Sequence, residues 1–447
     1  MENSNSFFEK INHWLKNSLS LKLITITILM LVLLIPASMI KSIISERQYL
    51  RESTISEVSQ KWANRQNING PIMTIPLTYE EKVDKDKVEE YTKYLHILPE
   101  DLNIDGQIDP TRLRRSIYEV VVYESALSLK GKFKINKFVD KNNLKRINYD
   151  HAFITMGISD LRGIQNQMKL LWNGVTLDIE PGSKIPDIIK SGVTIALPDL
   201  SELTESTFDF GMDINLQGSQ NISFTPLGKT TDIKISSEWP DPSFNGSFLP
   251  DDREVSESGF SAQWKVLQLN RNYPQSWIGN AYANNINASA FGIALILPLN
   301  DYLKSTRAAK YAAMTIALTF LIFFVIEILN HRKIHPFQYT LVGFALLLFY
   351  ILLISISEHL NFNMAYGISS VIVVGMITLY SMSVFKKNKL SILLMTILTS
   401  LYGFVFTTMQ LTEYALLMGS IGLAIILGLT MYFTKNINWY KLNEAKN

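Results

Sequence analysis

Leu23-Ile-Thr-Ile-Thr-Ile-Leu-Met-Leu-Val-Leu-Leu-Ile-Pro-Ala-Ser-Met-Ile40 carries no charged side chain. A hydrocarbon core about 30 Å thick needs roughly 20 apolar residues of helix, and this run is of that size. Runs of the same kind fill the last third of the chain, and the long sequence between is polar and strand-patterned. The layout predicts a membrane protein: an α-helical transmembrane bundle of six helices plus a large β-rich, antiparallel sandwich-like exported domain inserted after the first helix. The spans are expected at 23–40, 311–329, 337–357, 362–384, 390–409 and 414–434, with the exported domain at 41–310. A cleavable leader has an apolar core of only about 7 to 15 residues and ends in a small-x-small site. Here the run ends Pro36-Ala37-Ser38-Met39-Ile40-Lys41, so the first helix is expected to remain as an anchor.

Lys and Arg in short loops stay on the cytoplasmic side. Lys10, Lys16 and Lys22 precede the first helix, and Arg332 and Lys333 separate the second from the third. Lys386, Lys387 and Lys389 separate the fourth from the fifth, and Lys435 and Lys441 follow the sixth. The alternate connections, 358–363 and 410–413, hold no Lys or Arg and each carries a Glu. Residues 1–22 and the tail 435–447 are therefore expected in the cytoplasm. Lys304, Arg307 and Lys310 lie on the outer side, where a long translocated domain escapes the charge rule.

A net charge of +2 and the lack of a basic stripe with interleaved aromatics give no argument for nucleic acid. Zero cysteines exclude disulfides, thiolate chemistry and Cys-ligated metals. The exported region is long enough to be held by ordinary core burial.

Strand patterning is plainest at 127–135. Leu127, Leu129, Phe133 and Ile135 alternate with Ser128, Lys130, Lys132 and Lys134, the period of a half-buried strand. Tyr118 to Tyr123, Asp213 to Leu216, Asp232 to Ser236 and Phe260 to Leu269 repeat it between Gly, Pro, Asn and Asp breakers. One or two antiparallel sandwiches follow. Ile43 to Trp62 reads as a charged continuation of the first helix. The Glu80 to Glu90 charge cluster reads as a solvated loop or hairpin tip.

The segment Trp239-Pro240-Asp-Pro-Ser-Phe244-Asn-Gly246-Ser-Phe-Leu-Pro250 concentrates aromatics, prolines and a glycine, and Trp264 and Trp277 follow it. It is either a structural loop anchored by its rings or a platform for carbohydrate or peptide.

Arg115-Ser-Ile-Tyr-Glu-Val120, Ser159-Asp-Leu-Arg-Gly163, Leu216-Gln-Gly-Ser219, Pro226-Leu-Gly228 and the Trp239 segment together resemble the CreD family of inner membrane proteins. So do His335-Pro-Phe-Gln-Tyr-Thr-Leu-Val-Gly343, with His335, Pro336, Gln338 and Tyr339 at its head, Ser355-Ile-Ser-Glu-His359, Ala365-Tyr366 and Tyr414-Ala-Leu-Leu-Met-Gly-Ser420. The resemblance covers nearly the whole chain. It implies a multi-pass protein of the bacterial inner membrane with its large domain in the periplasm, linked to cell envelope integrity and the envelope stress response. It implies no defined biochemical activity. One departure is visible: the family tends to carry an acidic pair before Tyr414, and here only Glu413 follows Thr412.

Ionisable groups near a bilayer are costly, which makes them functional candidates. Glu358 and His359 end the third span, Glu413 begins the sixth, and Gln410, Asn361 and Asn363 lie near. Brought together, they would bind a cation or proton, or dock the exported domain; apart, they would hydrogen-bond helix ends in the headgroup layer. On the inner face, His331 and His335 are flanked by Arg332, Lys333 and Pro336 and lack an acidic third ligand, so no metal is expected. His335-Pro336 instead reads as the start of the third span, with Pro in its tolerated first turn and Gln338 at the interface. Glu327, near the end of the second span, is expected to reach the cytoplasmic interface or pair with Arg332. Ser420, Ala424 and Gly428 make a small-residue stripe for close helix packing.

No Walker loop, HExxH or GxSxG motif is present, so no catalysis and no cofactor are expected, a divergent hydrolase being the exception. Two function classes stand. In the first, a non-enzymatic envelope protein, the β-domain contacts a periplasmic protein or cell-wall component and the bundle anchors or signals. In the second, a carrier or flippase-like protein, the bundle handles an ion, lipid or wall precursor through Glu358, His359 and Glu413.

Overall fold

A computed structural model of the chain describes residues 19–84, 87–135, 143–201, 207–297, 301–329, 334–411 and 414–435. The chain divides into two compact units, Met1–Arg51 with Leu299–Asn447, and Glu52–Pro298. Helix α1, Leu19–Trp62, contributes to both.

In the helical unit, Leu33, Ala37, Ile40 and Ile44 of α1 are buried at a spacing of four, three and four residues, while Ile35 and Met39 on the other side are 62% and 61% exposed. That stripe is how a helix faces partners on one side and lipid on the other. After the β unit, the short amphipathic α3 (Asp301–Lys310) bends by 41° into α4 (Ala312–Leu329); the label α2 belongs to a six-residue helix, Ala283–Ala288, in the β unit. Then come α5 (Pro336–Ser357), α6 (Phe362–Phe385), α7 (Asn388–Gln410) and α8 (Ala415–Thr434). Among the described residues α1, α5, α6 and α7 are long and apolar enough to cross a membrane, with α3 and α4 a fifth span if the bent pair counts as one. The expected six is thus matched in four or five.

Helix α5 starts as its sequence dictates. The His335 ring Nδ1 accepts from Phe337 N, Gln338 Oε1 accepts from His335 N, and Pro336 fills the first turn. Gly343, one turn on, allows close approach, since a Cβ there would meet Leu33 of α1 at 2.2 Å. Further along, the Phe349, Tyr366 and Tyr402 rings of α5, α6 and α7 meet at 4.7 to 6.5 Å, and Tyr366 donates to the Tyr402 carbonyl.

The β unit is one sandwich of two sheets with a single apolar core. Its strands are β1 (Gln66–Asp84), β2 (Lys87–Ile97), β3 (Asp101–Arg115), β4 (Tyr118–Lys134), β5 (Leu144–Ile147), β6 (Phe153–Ile158), β7 (Lys169–Trp172), β8 (Val175–Asp178) and β9 (Glu180–Pro181). They continue with β10 (Gly192–Ala196), β11 (Thr207–Ser219), β12 (Asn221–Phe224), β13 (Thr230–Ser237), β14 (Pro242–Gly246), β15 (Asp252–Ser256), β16 (Gly259–Leu267), β17 (Ser276–Ile278) and β18 (Phe291–Leu295). The first sheet runs β14-β18-β12-β1-β6-β10-β9, with β2 and β5 also paired to β1 and β17 paired to β2; the second runs β15-β16-β13-β3-β4-β11-β7-β8.

Both sheets are mixed, not antiparallel as expected. β1 pairs with β12 in parallel from Gln66↔Ile222, and β3 pairs with β13 in parallel from Asp101↔Thr230. Side-chain alternation has the same period in either orientation, so sequence pattern cannot distinguish them. The alternation itself is as read: Leu127, Leu129 and Phe133 are 2%, 1% and 0% exposed. At Leu216-Gln-Gly-Ser219 the chain leaves the second sheet, turns at Gln220 (φ 63°) and enters the first as β12. Tyr123 closes that crossing, its hydroxyl donating to Asn221 O at 2.9 Å and lying 2.2 Å from where a Cβ on Gly218 would sit. The Glu80 to Glu90 cluster is the β1–β2 hairpin, where Glu80 and Glu90 oppose each other and Lys145 pairs with both at 2.6 and 2.5 Å.

Candidate functional site

Among the described residues of the helical unit, one carboxylate is buried. Glu327, on the last turns of α4, is 6% exposed and meets three donors. Lys22 of α1 and the Ile334 N–H at 2.8 Å reach Oε1, and the Tyr339 hydroxyl of α5 reaches Oε2 at 2.9 Å. Phe320 and Phe323 of α4 pack against the Tyr339 ring at 5.5 and 6.0 Å. A buried charge survives only when it is paired and hydrogen-bonded, and both conditions hold here. Three helices are fastened at one point. From the sequence Glu327 is expected to reach the cytoplasmic interface or pair with Arg332, which lies outside the described residues. Lys22 is not foreseen there, since helix packing alone brings together residues 305 positions apart.

Of the polar cluster expected around Glu358, His359, Gln410 and Glu413, the first three are among the described residues. Glu358 caps the C-terminus of α5, with Oε1 3.5 Å from Nε of Arg47 on α1, an ion pair outside hydrogen-bond geometry. His359 is exposed, and Gln410 donates to Asn363 at 2.8 Å, tying α7 to α6. Glu413 lies outside the described residues, as do His331 and Lys333. Among the described residues, no three His, Asp or Glu side chains are grouped to hold a metal ion.

In the β unit the Trp239 segment is a core anchor. Trp239, Trp264 and Trp277 are 4%, 1% and 6% exposed. The Trp239 indole donates to Asp241 O and Ile296 O, each at 3.1 Å, and Arg112 covers its outer face at 4.9 Å. Phe244 is half-buried edge-on to Phe260 and Trp264, at 5.9 and 5.8 Å. Gly246 ends β14 at φ +94°, which an L side chain rarely adopts. Pro240 is half-buried at the turn into β14. A stacking platform needs free ring faces, and these tryptophans have none.

The Ser159-Asp-Leu-Arg-Gly163 stretch is a clamp on the end of α1. Asp160 Oδ2 accepts from Asn64 N and Nδ2, both at 3.0 Å, and Arg162 reaches both carboxylate oxygens at 2.9 and 2.6 Å. Arg162 Nη1 then donates to Gln60 O at 2.6 Å, satisfying a carbonyl in the last turn of the helix. The buried Gln66 side chain holds the strand behind it, bonding to the Asp160 backbone on both sides and to Gln217 O. The Arg162 guanidinium, helped by the Asn64 and Arg162 N–H groups and opposed by burial, holds the Asp160 carboxyl far below its usual range.

The family model described as inner membrane protein CreD matches residues 18–440. The chain is also 34% identical over 435 residues to inner membrane protein CreD of Escherichia coli (strain K12), covering 97% of this chain and 96% of that protein. Apolar helices of spanning length, a β-rich region inserted after the first of them and a match along nearly the whole length make this chain a member of the CreD family of multi-pass inner membrane proteins.

Proposed function

We propose that the chain is a non-enzymatic protein supporting envelope integrity, in which the β unit lies in the periplasm and contacts a protein or cell-wall partner and the helical unit is its mount and relay. One observation carries this reading: α1 is fastened in both units, by Lys22 to Glu327 at one end and by Asp160 and Arg162 through Gln60 at the other. A helix gripped at both ends is suited to pass load or state along its length. The distribution of Lys and Arg supports six spans with both termini in the cytoplasm, and the uncharged twenty-residue α8 supports the sixth.

The test is complementation of a deletion strain under envelope stress, with membrane levels matched. Replacing Glu52 and Ser53 of α1 by glycines weakens the helix by about 1 kcal/mol per residue. This variant is expected to lose protection, while Glu358→Gln with Glu413→Gln keeps it. Loss confined to the carboxylate variant would overturn the proposal in favour of a carrier handling an ion, lipid or wall precursor.

A further inference from the structure

The two-residue turn Ser116-Ile117 joins β3 to β4, with Ser116 at φ 56°. It sets Arg114 and Arg115 at the tip of a hairpin beside the last turns of α1. Between them lies a groove of about 480 Å³ lined by Val58, Lys61, Trp62, Leu113, Arg114 and Arg115. Its apolar floor is Val58, Trp62 and Leu113; its rim carries three cations, Lys61, Arg114 and Arg115, which share two carboxylates, Glu57 and Glu119.

One further observation points to a missing occupant. The rim is over-supplied with positive charge. Glu57 is shared by Lys61 at 2.8 Å and Arg115 at 2.9 Å, and Glu119 by Arg114 at 2.8 Å and Arg112 at 3.9 Å. Four cations thus face two carboxylates. The Arg114 and Arg115 side chains are 79% and 48% exposed, and surface pairs of this kind are readily displaced.

We propose that this groove binds an acidic peptide segment with a single apolar side chain, the apolar group seated on Trp62 and Leu113 and its carboxylates on Arg114, Arg115 and Lys61. Arginine forks take carboxylates bidentately. Neutral glycan offers nothing to three cations. A lipid acyl chain needs a longer channel than three apolar residues provide. The proposal rests on the reading of the β unit as a partner-binding domain and names the surface and the partner's chemistry. It gives the Arg115-Ser-Ile-Tyr-Glu-Val120 stretch a role.

The experiment measures fluorescence anisotropy of a labelled Gly-Asp-Glu-Leu-Asp-Glu-Gly peptide against the full chain in detergent micelles. Controls are the same peptide with Gly for Leu, a lysine-rich counterpart, and vesicles of phosphatidylglycerol. Arg114→Glu with Arg115→Glu is expected to weaken binding at least tenfold. Trp62→Phe, which shrinks the apolar seat, is expected to weaken it several-fold, with melting temperatures unchanged in both. The Gly peptide should bind more weakly than the Leu peptide. The proposal falls if the charge-reversed protein binds equally well, if Gly and Leu peptides are indistinguishable, or if only the vesicles bind. Those outcomes leave complementation untouched, so failure of the groove is separable from failure of the envelope reading.

Discussion

The hydroxyl of Tyr339 donates to Oε2 of Glu327 at 2.9 Å, while Lys22 holds the other oxygen of the same carboxylate. Tyr339→Phe strands one acceptor and is expected to cost about 1 to 3 kcal/mol. Lys22→Met leaves a buried charge uncompensated and is expected to cost about 3 to 5 kcal/mol. Lys22→Met with Glu327→Gln removes both charges while keeping an amide oxygen to accept from Tyr339 and Ile334, and should recover most of that loss, because the two sites are coupled. Melting temperatures in detergent micelles decide it: a silent Lys22→Met, or strictly additive losses, would show that the junction does not hold the helices.

Asp160→Ala removes the acceptor of Asn64 and the partner of Arg162 at once. About 3 kcal/mol of stability should go with it, as stranded donors are costlier than a missing contact. Because the folded carboxyl titrates below its unfolded value, the stability it supplies is complete above the ordinary carboxylate range and is lost only as pH falls well below it. Hydrogen exchange along 57–63 is the sharper readout. Exchange there should quicken in Asp160→Ala and Arg162→Ala while the β4–β11 ladder stays protected; unchanged exchange at the helix end would remove the clamp.

The spans could be read because length and lack of charge suffice, as at Leu23–Ile40, and the strands because side-chain alternation marks a buried face, as at Leu127–Phe133. The start of α5 was equally local: His335, Pro336 and Gln338 form their cap within one turn. What escaped depends on tertiary placement. Nothing in the neighbourhood of Lys22 announces Glu327, the parallel partners of β1 and β3 come from distant chain, and a tryptophan's sequence context does not say whether its face is free. The Trp239 segment left two readings open, a loop anchored by its rings or a platform, and its buried indole, with the N–H spent on backbone carbonyls, is the anchored loop.

Gly246 is the strictest requirement in that loop. A Cβ would lie 2.4 Å from the Ala290 carbonyl oxygen, at a backbone φ of +94°. The clash is with main chain, which cannot rotate away. Gly246→Ala is expected to cost about 2 to 4 kcal/mol from strain and overpacking together. Gly174 has φ +83° but open space around it, so Gly174→Ala should cost only about 1 kcal/mol. Equal melting temperatures for the two variants would place the strain elsewhere.

His96 sets the acid limit of the β unit. It sits between β1 and β17, 2% exposed, with Nδ1 3.0 Å from the Thr74 hydroxyl and its ring 5.2 Å from that of Trp277. Burial disfavours the charged imidazolium and lowers its pKa from 6.5 to about 4. The unfolded chain therefore binds a proton more readily than the folded one between those values. Stability is complete above pH 6.5, declines as pH falls towards 4, and levels off below. At about 1.4 kcal/mol per pH unit, the full loss is between about 3 and 4 kcal/mol. His96→Gln keeps a polar partner for Thr74 but cannot be protonated, so its melting temperature should fall less than the parent's between pH 7 and pH 4.5. Parallel falls in the two proteins would assign the acid sensitivity to other groups.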